Sequence, residues 1–263
     1  MSAYSHMIKI KLLLALNYKF EFFVGIISKI MFLFVSAFFW KAAYNGIDAV
    51  EMISEEQMLT YSVLSIIIGG IFSTSIEDSI RSRVRRGDIA IDFIKPVNIF
   101  LMYLSEDVGN MVTEIIRTAI PITICSALFV IIPTPASLIH FGLFLMSASF
   151  SYVILWLISA IFGLFYIKLI DLGPIGAIKQ YLIMILSGAV VPMWFFPQTI
   201  QTILRYLPFI YTYQHPLGIF IGKYTTKEAA VGMLVQLLWV AIFFVLFKFL
   251  KKRIVKNVLV QGG

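Results

Sequence analysis

Long apolar runs alternate along the chain with short polar stretches, and their spacing predicts the architecture. A spanning helix needs about 20 mainly apolar residues to cross roughly 30 Å of hydrocarbon. Residues 22–44, 58–76, 109–132, 138–167, 175–195 and 229–249 meet that requirement. Ahead of them, residues 4–20 mix Lys9, Lys11 and Lys19 with LLLAL, the pattern of an amphipathic helix lying in the interface. Basic residues scattered through that run, without a small-residue cleavage site, argue against a removable signal peptide. The expectation is an all-α integral membrane protein, one transmembrane domain over residues 1–263 with six spans.

Composition supports this. With 60% hydrophobic and 13% charged residues and a mean hydropathy of +0.94, the chain lies far from the roughly 45–50% apolar and 25% charged mix of soluble domains. At 263 residues it has no length left for a soluble catalytic domain beside the bundle. Cys125 is the single cysteine, which excludes an intramolecular disulfide. Lysine and arginine set the orientation. With the amino terminus inside, six spans return the carboxyl terminus inside, and the inner segments collect Lys9, Lys11, Lys19, the bases of residues 77–96, Lys168, Lys179, Lys248, Lys251, Lys252, Arg253 and Lys256. The outer segments carry Lys41, Arg205, Lys223 and Lys227, and Asp48, Glu51, Glu55 and Glu56 make the first outer loop acidic. The net charge of +7 therefore reflects bases beside an anionic cytoplasmic leaflet and implies no nucleic acid.

Between the second and third spans runs EDSIRSRVRRGDIAIDFIKP, residues 77–96. Its charges bar it from lipid and from a dry core. Residues 79–86 have no helix breaker, Gly87 can take the left-handed conformation that closes a helix, and Asp88 can cap the next turn, which Pro96 stops. Ile89, Phe93 and Ile94 are expected to share one face, giving a basic knob with a small apolar face. A plain connection needs only a few residues, so docking against another protein is the favoured reading; an interfacial helix resting on headgroups is the alternative.

From Ser187 the chain reads SGAVVPMWFFPQTIQTILRYLPFIYTYQHPLGIFIGK. The fifth span is expected to reach Pro192 and break at Pro192, Pro197 and Pro208, leaving a short helix over residues 198–206. Irregular backbone at membrane depth is tolerated only where protein or water satisfies it. Residues 196–222 thus predict a re-entrant or outer helical cap, with Ser187, Gly188, Pro192, Pro197 and Pro208 as its marking positions.

A fifth span ending in SGAVVP, a second proline in WFFP, a short helix and LPFIY resemble type-2 ATP-binding-cassette (ABC-2) permeases, the exporter group typified by daunorubicin-resistance permeases. RRGDIAIDFIKP is similar to a branch often encoded as two neighbouring permeases. The resemblance covers the whole chain. It implies a permease subunit in a bacterial cell membrane, paired with a second permease, identical or paralogous, and with cytosolic ATPase subunits. It also implies that residues 79–96 are a coupling helix seated in a groove of the ATPase, through Arg81, Arg83, Arg85, Arg86, Gly87, Asp88, Ile89, Asp92, Phe93, Lys95 and Pro96. ATP and Mg are then expected on the partner ATPase, with no cofactor on this chain.

The chain's own text agrees. A phosphate-cradling loop needs G-x-x-x-x-G-K-[ST]; the nearest stretch, GIFIGKY over residues 218–224, has its glycines one residue too close and Tyr224 where the Ser/Thr belongs. Inside the third span, Glu114 and Arg117 stand three apart and can pair on one helix face. A structural ion pair is the favoured reading, with a polar gate or substrate contact as the functional one. Lys29 is expected to snorkel to the cytoplasmic interface, and Glu106 and Asp107 to meet Arg83 or Arg86 below the membrane. His6, His140 and His215 have no metal-ligand spacing. A membrane-embedded protease or lipid transferase would need a nucleophile–base pair or clustered acids in the bundle, and arginine is no proton acceptor. A scaffold role leaves the long basic loop without a purpose.

Overall fold

The computed structural model describes residues 19–94, 97–169 and 172–261. The expected interface helix over residues 4–20 lies outside them, save that Lys19 and Phe20 open the first helix. The helices in order are α1 (Lys19–Ala43), α2 (Glu55–Ile71), α3 (Ile76–Arg86), α4 (Ile89–Ile94), α5 (Ile99–Glu114), α6 (Ile120–Phe129), α7 (Leu138–Leu169), α8 (Ile175–Leu186), α9 (Gln198–Leu204), α10 (Gln214–Phe220) and α11 (Thr226–Gln261). A π-helical turn, Ile115–Ala119, joins α5 to α6.

Five stretches among the described residues are long and apolar enough to cross a membrane: Phe22–Ala43, Glu55–Arg86, Ile99–Phe129, Leu138–Leu169 and Thr226–Lys256. The expected fifth span over 175–195 is not among them as one continuous helix. Its helix, α8, stops at Leu186 after 12 residues, about 18 Å at 1.5 Å per residue and short of a ~30 Å crossing. Gly188, at φ +80°, turns the chain there. The third span starts at Ile99 rather than 109, because the Asn98 side chain caps Phe100 and Leu101 and IFLMYL continues the apolar pattern.

A tight hairpin, β1 (Ala49–Val50) and β2 (Ile53–Ser54), precedes α2. Its two turn residues, Glu51 and Met52, both have positive φ, the geometry that matches the twist of paired strands. Ser54 then caps α2 reciprocally: its Oγ accepts from the Gln57 N–H at 3.2 Å while Gln57 Oε1 accepts from the Ser54 N–H at 2.9 Å.

α7 is the central post, buried along most of its length and packed against α3, α10 and α11. α1 shows the opposite character, presenting Phe23, Ile27, Met31, Val35 and Phe38 outward. In lipid, helices associate through close packing and buried polar bonds rather than hydrophobic exclusion. α7 and α11 follow this rule: Gln236 Nε2 donates to Ser151 Oγ at 2.9 Å and to the Ser147 and Tyr211 carbonyls, and its Oε1 accepts from Ser147 Oγ at 3.0 Å.

Candidate functional site

The basic stretch forms two short helices at an angle. α3 begins at Ile76, three residues earlier than expected, and Gly87 ends it in the left-handed conformation at φ +78°, with its N–H and that of Asp88 closing onto Val84 and Arg83. α4 follows immediately; Lys95 and Pro96 lie outside the described residues.

The first turn of α3 is held by three other helices. Asp107 of α5 accepts from the Ser75 N–H and Oγ, both at 2.6 Å, so a carboxylate sits at the positive end of α3, and its second oxygen accepts from Trp156 Nε1 of α7 at 3.1 Å. Ile80 fills a notch in α7 that exists because residue 163 is glycine; a Cβ there would meet Ile80 Cδ1 at 2.6 Å. Glu77 pairs with Lys179 of α8 and closes against Gly176. The expected meeting of Asp107 with Arg83 or Arg86 is therefore corrected: Asp107 is fully buried and serves the start of α3.

The arginines have separate jobs. Arg83 pairs at 2.7 Å with Asp92 of α4, whose side chain is 1% exposed, and so fixes the angle between the two helices. Arg81 lies over the Tyr166 ring, 5.6 Å from its centre. Arg86 makes only a loose 3.3 Å contact with Asp88, and both it and Arg85 are exposed. Ile89 is buried and Phe93 half-buried, so the apolar face expected to greet a partner is turned mostly inward. The exposed surface of the two helices is Asp78 in the first turn and, toward the junction, Ser82, Arg85, Arg86, Gly87 and Ile91.

A second constellation lies within the spans. Glu114, 7% exposed, takes Arg117 on one oxygen; its other oxygen accepts from Lys29 Nζ of α1 at 2.8 Å and from Thr118 Oγ1 at 2.7 Å. Lys29 Nζ also donates to Thr118 Oγ1 at 2.5 Å. Lys29 thus does not snorkel away; it completes a cluster of two cations and one anion that bridges α1 to the third span. The cluster forms at the π-helical turn, whose extra residue per turn brings Arg117 and Thr118 round toward Glu114; such turns recur at functional positions. Gly70 of α2 makes room, since a Cβ there would stand 2.9 Å from Glu114 Oε2. Next to the cluster a cavity of about 510 Å³ opens between α1, α2, α7 and α8, with Lys29, Ser65, Thr74 and Lys179 in its wall.

The region marked by Ser187, Gly188, Pro192, Pro197 and Pro208 folds back on α2. The Gly188 carbonyl accepts from Tyr61 Oη at 2.7 Å and the Ala189 carbonyl from Ser65 Oγ at 2.5 Å. Gln214 of α10 closes the other side, its N–H donating to the Ser187 carbonyl at 3.0 Å and its Oε1 accepting from the Met193 N–H at 2.6 Å. After Pro197, α9 runs to Leu204 and α10 carries Gly218, which packs against Tyr224. These bonds supply partners for the irregular backbone between α8 and α10.

Glu114 and Arg117 pair as their spacing suggests, whereas Lys29 at Glu114, the Glu77–Lys179 pair, Asp107 on Ser75, and Tyr61 and Gln214 against the turn after α8 were not foreseen. Lys29, Glu77, Asp107 and Lys179 carried a signal as charged residues in or beside apolar runs, but the sequence did not show which groups they meet. The family model described as ABC-2 family transporter protein matches residues 29–259. No match was found among curated proteins.

Proposed function

Because the chain belongs to the ABC-2 transporter family and is a multi-pass membrane protein of that kind, we propose that it is the permease subunit of an exporter powered by separate cytosolic ATPase subunits. Family members are generally transport subunits that work with such ATPases. The observation that carries the reading is the knob: Arg85, Arg86 and Ile91 stand exposed on a pair of helices braced against α5, α7 and α8. A surface that is polar at its edge, apolar at one point and rigid underneath suits docking into a groove of a soluble protein.

In this reading the knob faces the cytoplasm and both chain ends lie inside a bacterial cell membrane. α8 and the turn held by Tyr61, Ser65 and Gln214 together make the sixth passage, part helix and part satisfied loop. A second permease, identical or paralogous, faces the cavity beside Lys29 and completes the pathway. ATP and Mg bind the ATPase pair; closure of that pair moves the knob, which carries α3 and α7 with it. Reversing a 1:99 equilibrium between two states requires about 5.5 kcal/mol of differential binding, which a nucleotide-loaded motor dimer supplies.

The test is Arg85→Glu with Arg86→Glu. Neither residue is buried, so the variant should insert and melt like the wild type, yet lose co-purification with an ATPase and lose ATP-dependent transport. Unchanged complex yield together with unchanged transport would overturn the docking assignment.

A further inference from the structure

A second cavity, about 370 Å³, lies between α5, α7 and α11 near the end of the bundle that carries the knob. Its walls are apolar: Leu104 from α5, Val153 and Leu157 from α7, Val240 and Phe244 from α11. Asn98, Lys248 and Lys251 stand at its mouth, and no residue lining it is acidic. On α11, Lys248 follows Glu228 by 20 positions with no charge between them. That is about 30 Å of helix, one hydrocarbon thickness. The two lysines therefore sit at headgroup level, and the groove runs from them to Val240, about 12 Å into the hydrocarbon.

Lysines at a helix end ordinarily extend toward water. These two instead fold over the groove's own rings, Lys248 Nζ 4.6 Å from the centre of Phe244 and Lys251 Nζ 4.6 Å from that of Phe100. A ring takes one side of an ammonium, leaving N–H donors for an anion, and among the described residues no carboxylate pairs with either lysine. The Asn98 side chain uses its oxygen on Phe100 and Leu101, so its amide N–H groups add further donors.

We propose that this groove seats one anionic phospholipid, an acyl chain lying along Val153, Leu157 and Val240 and the phosphate held by Lys248, Lys251 and Asn98. A partner helix from a second copy would bury both cations without supplying an anion, whereas a phospholipid matches the apolar floor and the basic mouth at their observed depths. α11 also touches α4, so the seat adjoins the knob. The inference stands independently of the ATPase reading.

The test uses the purified full chain in neutral detergent, titrated with dioleoyl phosphatidylglycerol or dioleoyl phosphatidylcholine and read by native mass spectrometry. Phosphatidylglycerol should be retained as a single adduct at least about tenfold more tightly. Lys248→Gln with Lys251→Gln should weaken it by roughly 30-fold, at about tenfold per 1.4 kcal/mol and about 1 kcal/mol per lysine. Val153→Trp, which fills the groove without touching a lysine, should also displace it, while the exposed Lys168→Gln should not. Equal retention of the two lipids would overturn the proposal, as would undiminished phosphatidylglycerol binding by the lysine variant. Self-crosslinking through Val153→Cys in a Cys125→Ser background would place a second copy on the groove and overturn it equally.

Discussion

Replacing Glu114 by Gln removes the single anion from a site that holds two cations. Glu114 has a side-chain exposure of 10%, Lys29 of 28% and Arg117 of 34%. Deleting one partner of a fully buried pair costs about 3–5 kcal/mol; the partial exposure of both cations reduces this to about 2–3 kcal/mol. At about 2–4 °C per kcal/mol for a chain of this size, Tm should fall by roughly 4–12 °C in scanning fluorimetry of the purified protein. Lys29→Met should be far milder, because Glu114 and Arg117 remain as a neutral pair. In the Lys29→Met background, Glu114→Gln should then cost less than alone, giving a coupling of about 1–2 kcal/mol. A Glu114→Gln variant melting within about 1 °C of wild type, or strictly additive costs, would refute the charge balance argued for this cluster.

Tyr61→Phe strips the Gly188 carbonyl of its donor at a 1% exposed position and should cost about 1–3 kcal/mol, seen as a lower Tm; an unchanged melt would mean the turn finds another partner. Gly163→Ala should destabilise by about 1–3 kcal/mol through contact with Ile80 Cδ1, and Ile80→Val, which removes that atom, should restore stability. Burial lowers the pKa of His215 to about 4, so between pH 6.5 and 4 the unfolded chain takes up a proton that the native one refuses. Stability should be complete above pH 6.5 and decline as pH falls through that window, and the decline should flatten in His215→Gln.

The apolar runs in the sequence were enough to place α1, α2, α7 and α11, because a helix in a bilayer must be written in apolar residues whether it faces lipid, as α1 and α11 largely do, or packs inside the bundle, as α2 and α7 do. Gly87 announced the end of α3 because a left-handed residue there is rarely anything else. What escaped was decided across helices rather than along them. Asp107 reads as a helix extending into water until Ser75 and Trp156 are seen to satisfy it. Lys29 reads as a snorkelling lysine until Glu114 approaches from 85 positions away. The end of α8 at Leu186 depends on hydroxyls of α2, which no local pattern in SGAVVP reveals. The Glu51–Met52 turn lacked the usual Asn-Gly signature, so the hairpin was invisible.

The grip on the first turn of α3 sets how a push at its far end is felt. With Ile80 lodged in the Gly163 notch and Ser75 clasped by Asp107, α3 is anchored through its first five residues, and the six from Arg81 to Arg86 extend about 9 Å beyond the anchor. Under the docking proposed for the knob, a displacement at Arg86 is passed to α7 through the contact of Ile80 with Gly163.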